Sequence, residues 1–432
     1  MLYQYRKVAL QVVLTTLVMI SLCLPVAAAD VNIEWWIGGL EAQKQAANSL
    51  AETWMEDNPN YTFDIMDVGG WYDVHTKVMT SIAAGTLPHL VRGKDFWLVD
   101  WVQGDFLLEL DEYIERDKDE LGWGPMFMEL LEKCRYDGKI KALPWHQYFH
   151  SLYWNKTLFA EAGLSSPPDT WEEMIEYGKK LTRPEKDIYG FQMYIYERDL
   201  AVVSVTLETF ARQASDTPHL ELWDVSQDVP VYNLVTPAAK EALQFWLDAM
   251  YVHQVCVPPE LSTMPRRKED SKVGFWIACQ DNIPWLELMA PDLDYGVAVL
   301  PKNKNRAGVV EHNFMYPFNR DPEEVWDFLK YICGPEGNLV WSRGSGTLPT
   351  HEEMWTQSPF NTAEYEPVIA QRNFPETVVH KYHPHYEEVQ EAIAEEVEQI
   401  MYRRKTVDQG LNDAQKRVDA LMKKYFGDAY KK

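Results

Sequence analysis

A strand, a helix and a second strand open the chain after residue 30, and that order commits it to a parallel sheet covered by helices. Val31-Asn32-Ile33-Glu34-Trp35-Trp36-Ile37 is strand-like and ends at Gly38-Gly39. Ala46, Leu50 and Trp54 then recur every four residues, marking one face of a helix. Asn58-Pro59 stops the helix, and Tyr61 to Val68 reads as the next strand. Two strands with a helix between them form a βαβ unit, whose strands lie parallel. The alternation continues through Leu87 to Val91 and then Leu107 to Arg116. Lys139 to Leu143 and Ser151 to Trp154 read as two strands, and Val297 to Leu300 as another. Thr170 to Leu181 reads as a helix capped by Thr170 with Glu173 three residues on. Pro322 to Ile332 is another helix. Val389, Ile393, Val397 and Ile400 form one apolar stripe; Leu411, Ala414, Val418, Leu421 and Tyr425 form a second, so the chain ends in helices. At 432 residues it exceeds one ordinary core. No repeat or low-complexity linker interrupts it. The expectation is two α/β lobes joined by ordered hinge strands.

The first 29 residues differ in character. Arg6 and Lys7 precede an almost unbroken apolar run, Val8 to Leu24. Pro25 breaks the run, and Ala27-Ala28-Ala29 supplies small residues. This is the pattern of a secretory signal peptide cleaved after Ala29, which places the mature chain in the periplasm. The run is short for a membrane span. Leu22 stands before Cys23 where lipidation calls for a small residue, which argues against a lipoprotein anchor. The formal charge of −25 repels nucleic acid and anionic lipid, and suits a neutral or cationic small ligand. Cys134, Cys256, Cys279 and Cys333 remain after cleavage, without CxxC spacing or a zinc signature. Free thiols and disulfides both stay open.

Several motifs then occur in a recognisable order. Asp137-Gly138-Lys139-Ile140 leads to Leu143-Pro144, followed by Leu152-Tyr153-Trp154-Asn155-Lys156. Leu158-Phe159, Ala162-Gly163-Leu164, Pro168 and Thr170-Trp171-Glu172-Glu173 come next. Tyr295-Gly296-Val297 with Leu300-Pro301, Glu324 to Leu329, and Gly346-Thr347-Leu348-Pro349-Thr350 complete the series. In this order they resemble the extracellular solute-binding proteins of sugar ABC importers, the maltose-binding-protein-like family. The resemblance implies a type II-like periplasmic binding protein fold. Each of two lobes would be a mainly parallel sheet flanked by helices, with a cleft between them and three crossings. Residues 30–145 and 313–356 would form the first lobe, and 150–309 and 357–432 the second. Crossings would fall at Pro144 to Phe149, Val309 to Asn313 and Trp355 to Asn361. A monomer that closes on a carbohydrate and hands it to membrane permease subunits is the implied function, with no cofactor.

A sugar needs aromatic plates for its ring faces and polar groups for its hydroxyls. Trp36 and Glu41 flank the turn after the first strand, at the carboxyl end where α/β clefts bind ligands. Trp71 and Tyr72 follow Gly69-Gly70 after the second. Asp95 closes Arg92-Gly93-Lys94-Asp95 after the third. Trp145, His146 and Tyr148 lie at the first crossing, and Asn313 at the second. Gln280 and Asp281 stand where the family usually carries a glycine and then a ring, with Trp285 one turn on. Arg343 precedes Gly346 in a loop expected to reach the cleft, and Tyr386 follows the alternating His380, His383, His385. His146 has no second ligand at metal spacing, and no acidic partner is ordered beside the alternating histidines, so no metal site is expected.

Two other readings compete. A secreted carbohydrate-active enzyme would need paired carboxylates, and acids are too numerous for spacing to exclude it; Gly-x-Ser-x-Gly is absent. The same fold could instead take a polyamine, glycerol phosphate or peptide. A phosphate would want several cations, for which Lys94 and Arg343 stand out. A cationic ligand would want Glu41, Asp95 and Asp281.

Overall fold

Leu143–Asn155 is the element around which the rest is arranged. This strand has 13 residues, 12 of them buried, and at strand rise it is roughly 43 Å long, enough to run from one lobe into the other. The computed structural model describes residues 31–39, 41–193, 202–218, 221–224, 229–262, 268–308, 310–374 and 382–430, apart from the side chains of residues 72 and 262. The expected leader, residues 1–29, lies outside these.

Among the described residues, nine strands make one sheet. They are β1 (Val31–Ile37), β2 (Tyr61–Asp67), β3 (Leu90–Lys94), β4 (Leu143–Asn155), β5 (Tyr189–Gln192), β6 (Val273–Cys279), β7 (Tyr295–Ala298), β8 (Val310–Pro317) and β9 (Leu348–Pro349). The order is β2-β1-β3-β8-β4-β6-β5, with β7 and β9 also pairing to β4. On one side β1 lies parallel to β2 and β3; on the other β5 lies parallel to β6. Every pairing made by β4 or β8 is antiparallel. The sheet is therefore mixed rather than mainly parallel. The reason is connectivity: a chain that leaves one lobe along β4 and returns along β8 must pair those strands in opposite directions.

Helices cover both ends. α1 (Glu41–Asp57) buries Ala46, Ala47, Leu50 and Ala51. α2 (Trp71–Ala84), α3 (Pro322–Cys333) and α4 (Pro335–Ser345) are further helices, α4 lying against both α1 and α3. One core gathers Ile33, Trp35, Leu50, Val91, Trp101, Trp145, Phe314, Trp326 and Trp341. A second gathers Phe159, Phe191, Phe210, Trp246, Phe275, Ile393, Val397 and Val418, and a third gathers Phe149, Tyr153, Trp276, Leu286, Leu348 and Val368. The two stripes near the C-terminus form the helices Tyr386–Met401 and Val407–Phe426, and Thr170 caps Trp171–Leu181 by accepting from the Glu173 amide. The four cysteines described are all free, and Cys134, Cys256 and Cys333 are buried. Among the described residues, no helix is long and apolar enough to cross a membrane.

The strand expected at 139–143 divides: Lys139–Ile140 pairs with Arg135–Tyr136 in a hairpin of its own, and Leu143 opens the long β4 that also contains the strand expected at 151–154. His146, Gln147, Tyr148 and His150 interrupt the apolar pattern between Leu143 and Ser151, yet all four are buried.

Candidate functional site

Ladder register collects polar side chains at the lobe junction. Asn313 on β8 faces Lys94 on β3 and His146 on β4. Glu311 faces Tyr148, and Cys279 on β6 faces His150. Cross-strand partners share a face of the sheet, and alternate residues along a strand share it too. Arg92 therefore lies on the same face as Lys94. Four neighbouring strands thus present a polar patch where an apolar core would otherwise form.

Arg92 is the centre of this patch and is fully buried. Its Nη1 donates to the Gly38 carbonyl (2.9 Å) and to Gln43 Oε1 (2.8 Å). Its Nη2 donates to Tyr148 Oη (3.0 Å) and lies 3.2 Å from His146 Nε2. The guanidinium sits 4.1 Å from the Trp71 ring centroid and 5.0 Å from that of Trp341, so two indole faces help offset lost hydration. Gly39 makes the arrangement possible. Its φ of 120° is unfavourable for other residues, and a Cβ there would meet Gln43 Oε1 at 2.1 Å. Burial pulls the Arg92 guanidinium below its ordinary value, with Tyr148 and Asp281 opposing. Burial, then the charges of Arg92 and Lys94, hold the His146 imidazole well below the ordinary histidine value, so it is neutral. Trp341 Nε1 donates to its Nδ1 at 3.2 Å.

Lys94 stands beside Arg92 and pairs with Glu311 at 2.6 Å. Burial pulls the ammonium down, but Glu311 outweighs it and raises Lys94 above its ordinary value. Its Nζ also lies 5.0 Å from the Trp71 ring. His150 Nε2 is 3.1 Å from Cys279 Sγ. Asp281, after β6, forms no ion pair among the described residues. Burial raises its carboxyl above the ordinary value, while Asn282, Arg92 and Lys94 draw it back. Asn313 is wholly buried, and neither end of its amide finds a partner among the described residues.

A second group lies beside this patch, where the residues after β3 meet Tyr382 and the start of the helix Tyr386–Met401. Tyr382 Oη donates to Asp95 Oδ2 (2.9 Å), and His312 Nδ1 lies 3.3 Å from the same oxygen. Phe96 packs on Tyr382 and Tyr386 at 5.7 and 5.3 Å. Trp97 Nε1 donates to Glu387 Oε2 (2.8 Å).

The structure thus brings together Trp71, His146, Tyr148, Asp281 and Asn313, with Asp95 and Tyr386 in the adjoining group. The Tyr72 side chain lies outside the described residues. Other expected site residues sit elsewhere. Trp36 is buried, donates to Glu34 Oε1 and carries Lys77 over its ring, so it packs the lobe. Glu41 is exposed on α1 and pairs with Lys44. Trp145 is fully buried, stacked at 4.0 Å on Trp341, because the ladder passes from His146 to Pro144 and leaves Trp145 as a bulge aimed into the core. Gln280 is spent bracing β4: it accepts from the Phe149 amide at 2.8 Å and donates to the Gln147 carbonyl at 2.5 Å. Arg343 is exposed and donates to Ser358 O and Gln357 Oε1 instead of reaching the cleft. Trp285 donates to Glu269. His380 lies outside the described residues; His383 contacts Tyr232 Oη and His385 stacks on Tyr425. No group of three or more metal-ligating side chains occurs among the described residues.

Arg92, Gln43 and Trp341 were not anticipated from the sequence. One signal was present. Arg92 follows Leu90-Val91, and β3 runs on to Lys94, so a charge falls within a central strand.

Comparison with known proteins agrees with this architecture. The family model described as bacterial extracellular solute-binding protein matches residues 49–365. A binding protein of Brucella abortus is 25% identical over 385 residues, covering 85% of this chain and 87% of that one. Maltose-bound MalE3 of T. maritima superposes with a TM-score of 0.77 at 22% identity, covering 90% of this chain and all of that one. UgpB from Mycobacterium tuberculosis, in complex with glycerophosphocholine, gives 0.75 at 17% identity, covering 91% and 98%. The chain belongs to the bacterial extracellular solute-binding proteins.

Proposed function

We propose that this chain is the periplasmic solute-binding component of an ABC importer. It closes two lobes on a carbohydrate, a mono- or oligosaccharide or derivative, and delivers it unchanged to permease subunits. In this reading the chain is exported by a leader cleaved after Ala29, acts as a monomer and is not an enzyme. Its lobes comprise 30–145 with 313–356, and 150–309 with 357–432.

The observation that carries the carbohydrate reading is Asn313, buried on a crossing strand with both ends of its amide unmatched. An unmatched buried polar group costs about 1–3 kcal/mol. A hydroxyl can donate to Oδ1 and another accept from Nδ2, which suits a polyol. Charge balance supports a neutral solute. Lys94 is matched by Glu311, and the Arg92 Nη groups already serve neutral acceptors. Maltose, in the T. maritima protein, is a solute of the expected kind.

Titration calorimetry against maltose, mannobiose, tagatose and glycerophosphocholine tests this. At least one neutral sugar is expected to bind with a Kd in the micromolar range or below, about −8 kcal/mol or stronger, and to be recovered intact. Binding of glycerophosphocholine alone would remove the carbohydrate assignment. Recovery of a cleaved sugar would make the chain an enzyme.

A further inference from the structure

Hydrogen-bond polarity at Tyr148 is fixed by its neighbours. Arginine only donates. Gln43 must therefore turn Oε1 toward Arg92 Nη1, which leaves its Nε2 to donate to Tyr148 Oη at 2.9 Å. Arg92 Nη2 donates to the same oxygen at 3.0 Å. The phenol oxygen thus accepts two hydrogen bonds, and its own proton must be given away. No acceptor for that proton is found among the described residues. Asp281 acts on Tyr148 through its charge without a hydrogen bond. The ring itself is held edge-on to His146, with centroids 5.2 Å apart and planes at 88°.

We propose that Tyr148 is a one-way donor that determines specificity: its O–H is given to an oxygen of the bound solute, and Gln43 and Arg92 are positioning residues that act through it. The solute must place an acceptor there, such as a hydroxyl, ring or carbonyl oxygen; an ammonium at that point would meet a donor and be rejected. This rests on the reading of the lobe junction as the solute site.

The test uses whichever neutral sugar of the panel binds the wild type most tightly. Tyr148→Phe is expected to weaken it at least tenfold. Gln43→Leu is expected to weaken it severalfold in the wild-type background and less than twofold in the Tyr148→Phe background, because its effect passes through the missing hydroxyl. Equal effects of Gln43→Leu in both backgrounds, or full affinity in Tyr148→Phe, would overturn the proposal while leaving the carbohydrate reading standing. If the wild type binds no sugar of the panel, the carbohydrate reading fails and this assignment falls with it. Should Tyr148→Phe not fold, 3-fluorotyrosine at position 148 retains the hydroxyl as a stronger donor and weaker acceptor. Tighter binding is then expected, and weaker binding would overturn the proposal.

Discussion

Arg92→Ala is expected to weaken solute binding more than a hundredfold and to remove about 3 kcal/mol of folding stability. The guanidinium supplies the donors for Gly38 O, Gln43 Oε1 and Tyr148 Oη in the interior. Each acceptor left unmatched costs about 1–3 kcal/mol, offset in part because a buried charge is also removed. The binding loss is larger because the cleft floor loses its order: Trp71 and Trp341 face the space vacated, and Tyr148 is freed to rotate. Arg92→Lys is expected to recover the charge but little of the affinity, since an ammonium cannot reach three acceptors from one fork. Urea unfolding and calorimetry on both variants check this. Wild-type affinity in Arg92→Ala would remove the residue from the site.

Trp145→Ala is expected to destabilise the chain by about 3–5 kcal/mol, the range for deleting a large buried ring. The ring is fully buried, 4.0 Å from Trp341 and 5.7 Å from Trp35. Its carbonyl accepts from Asn338 Nδ2, so the bulge that aims it inward is itself held. Any affinity loss should follow from Trp341, which supports His146 and one face of Arg92. Trp145→Phe should recover most of the stability, as read from thermal melting. A folded, fully stable Trp145→Ala that fails to bind would instead mean that the ring touches solute.

These two residues show what the sequence carried and what it did not. Period-four patterns locate α1 and the last helices, because those elements bury one continuous face, and strand-like runs bounded by Gly38-Gly39 and Asn58-Pro59 locate β1 and β2. Thr170 with Glu173 marks a helix start through local chemistry alone. At β4 the same signals fail: polar His146, Tyr148 and His150 sit inside a buried strand, for reasons that belong to the cleft and not to the core. Position along the chain put Trp145 beside His146 and Tyr148 but could not give its direction, which one bulge reverses. Gln280 and Arg343 were polar residues near the right loops, and their partners, Phe149 N and Ser358 O, are set by tertiary contacts that spacing does not encode. Arg92 was legible only as a charge directly after the expected strand Leu87 to Val91.

Small-angle X-ray scattering of the purified chain, with and without a saturating sugar from the panel, measures lobe closure directly. A smaller radius of gyration with sugar bound, and recovery of the same sugar afterwards, is the expected result. An unchanged radius at saturation, or a sugar that comes back altered, would contradict a clamp that closes on its solute and lets it go intact.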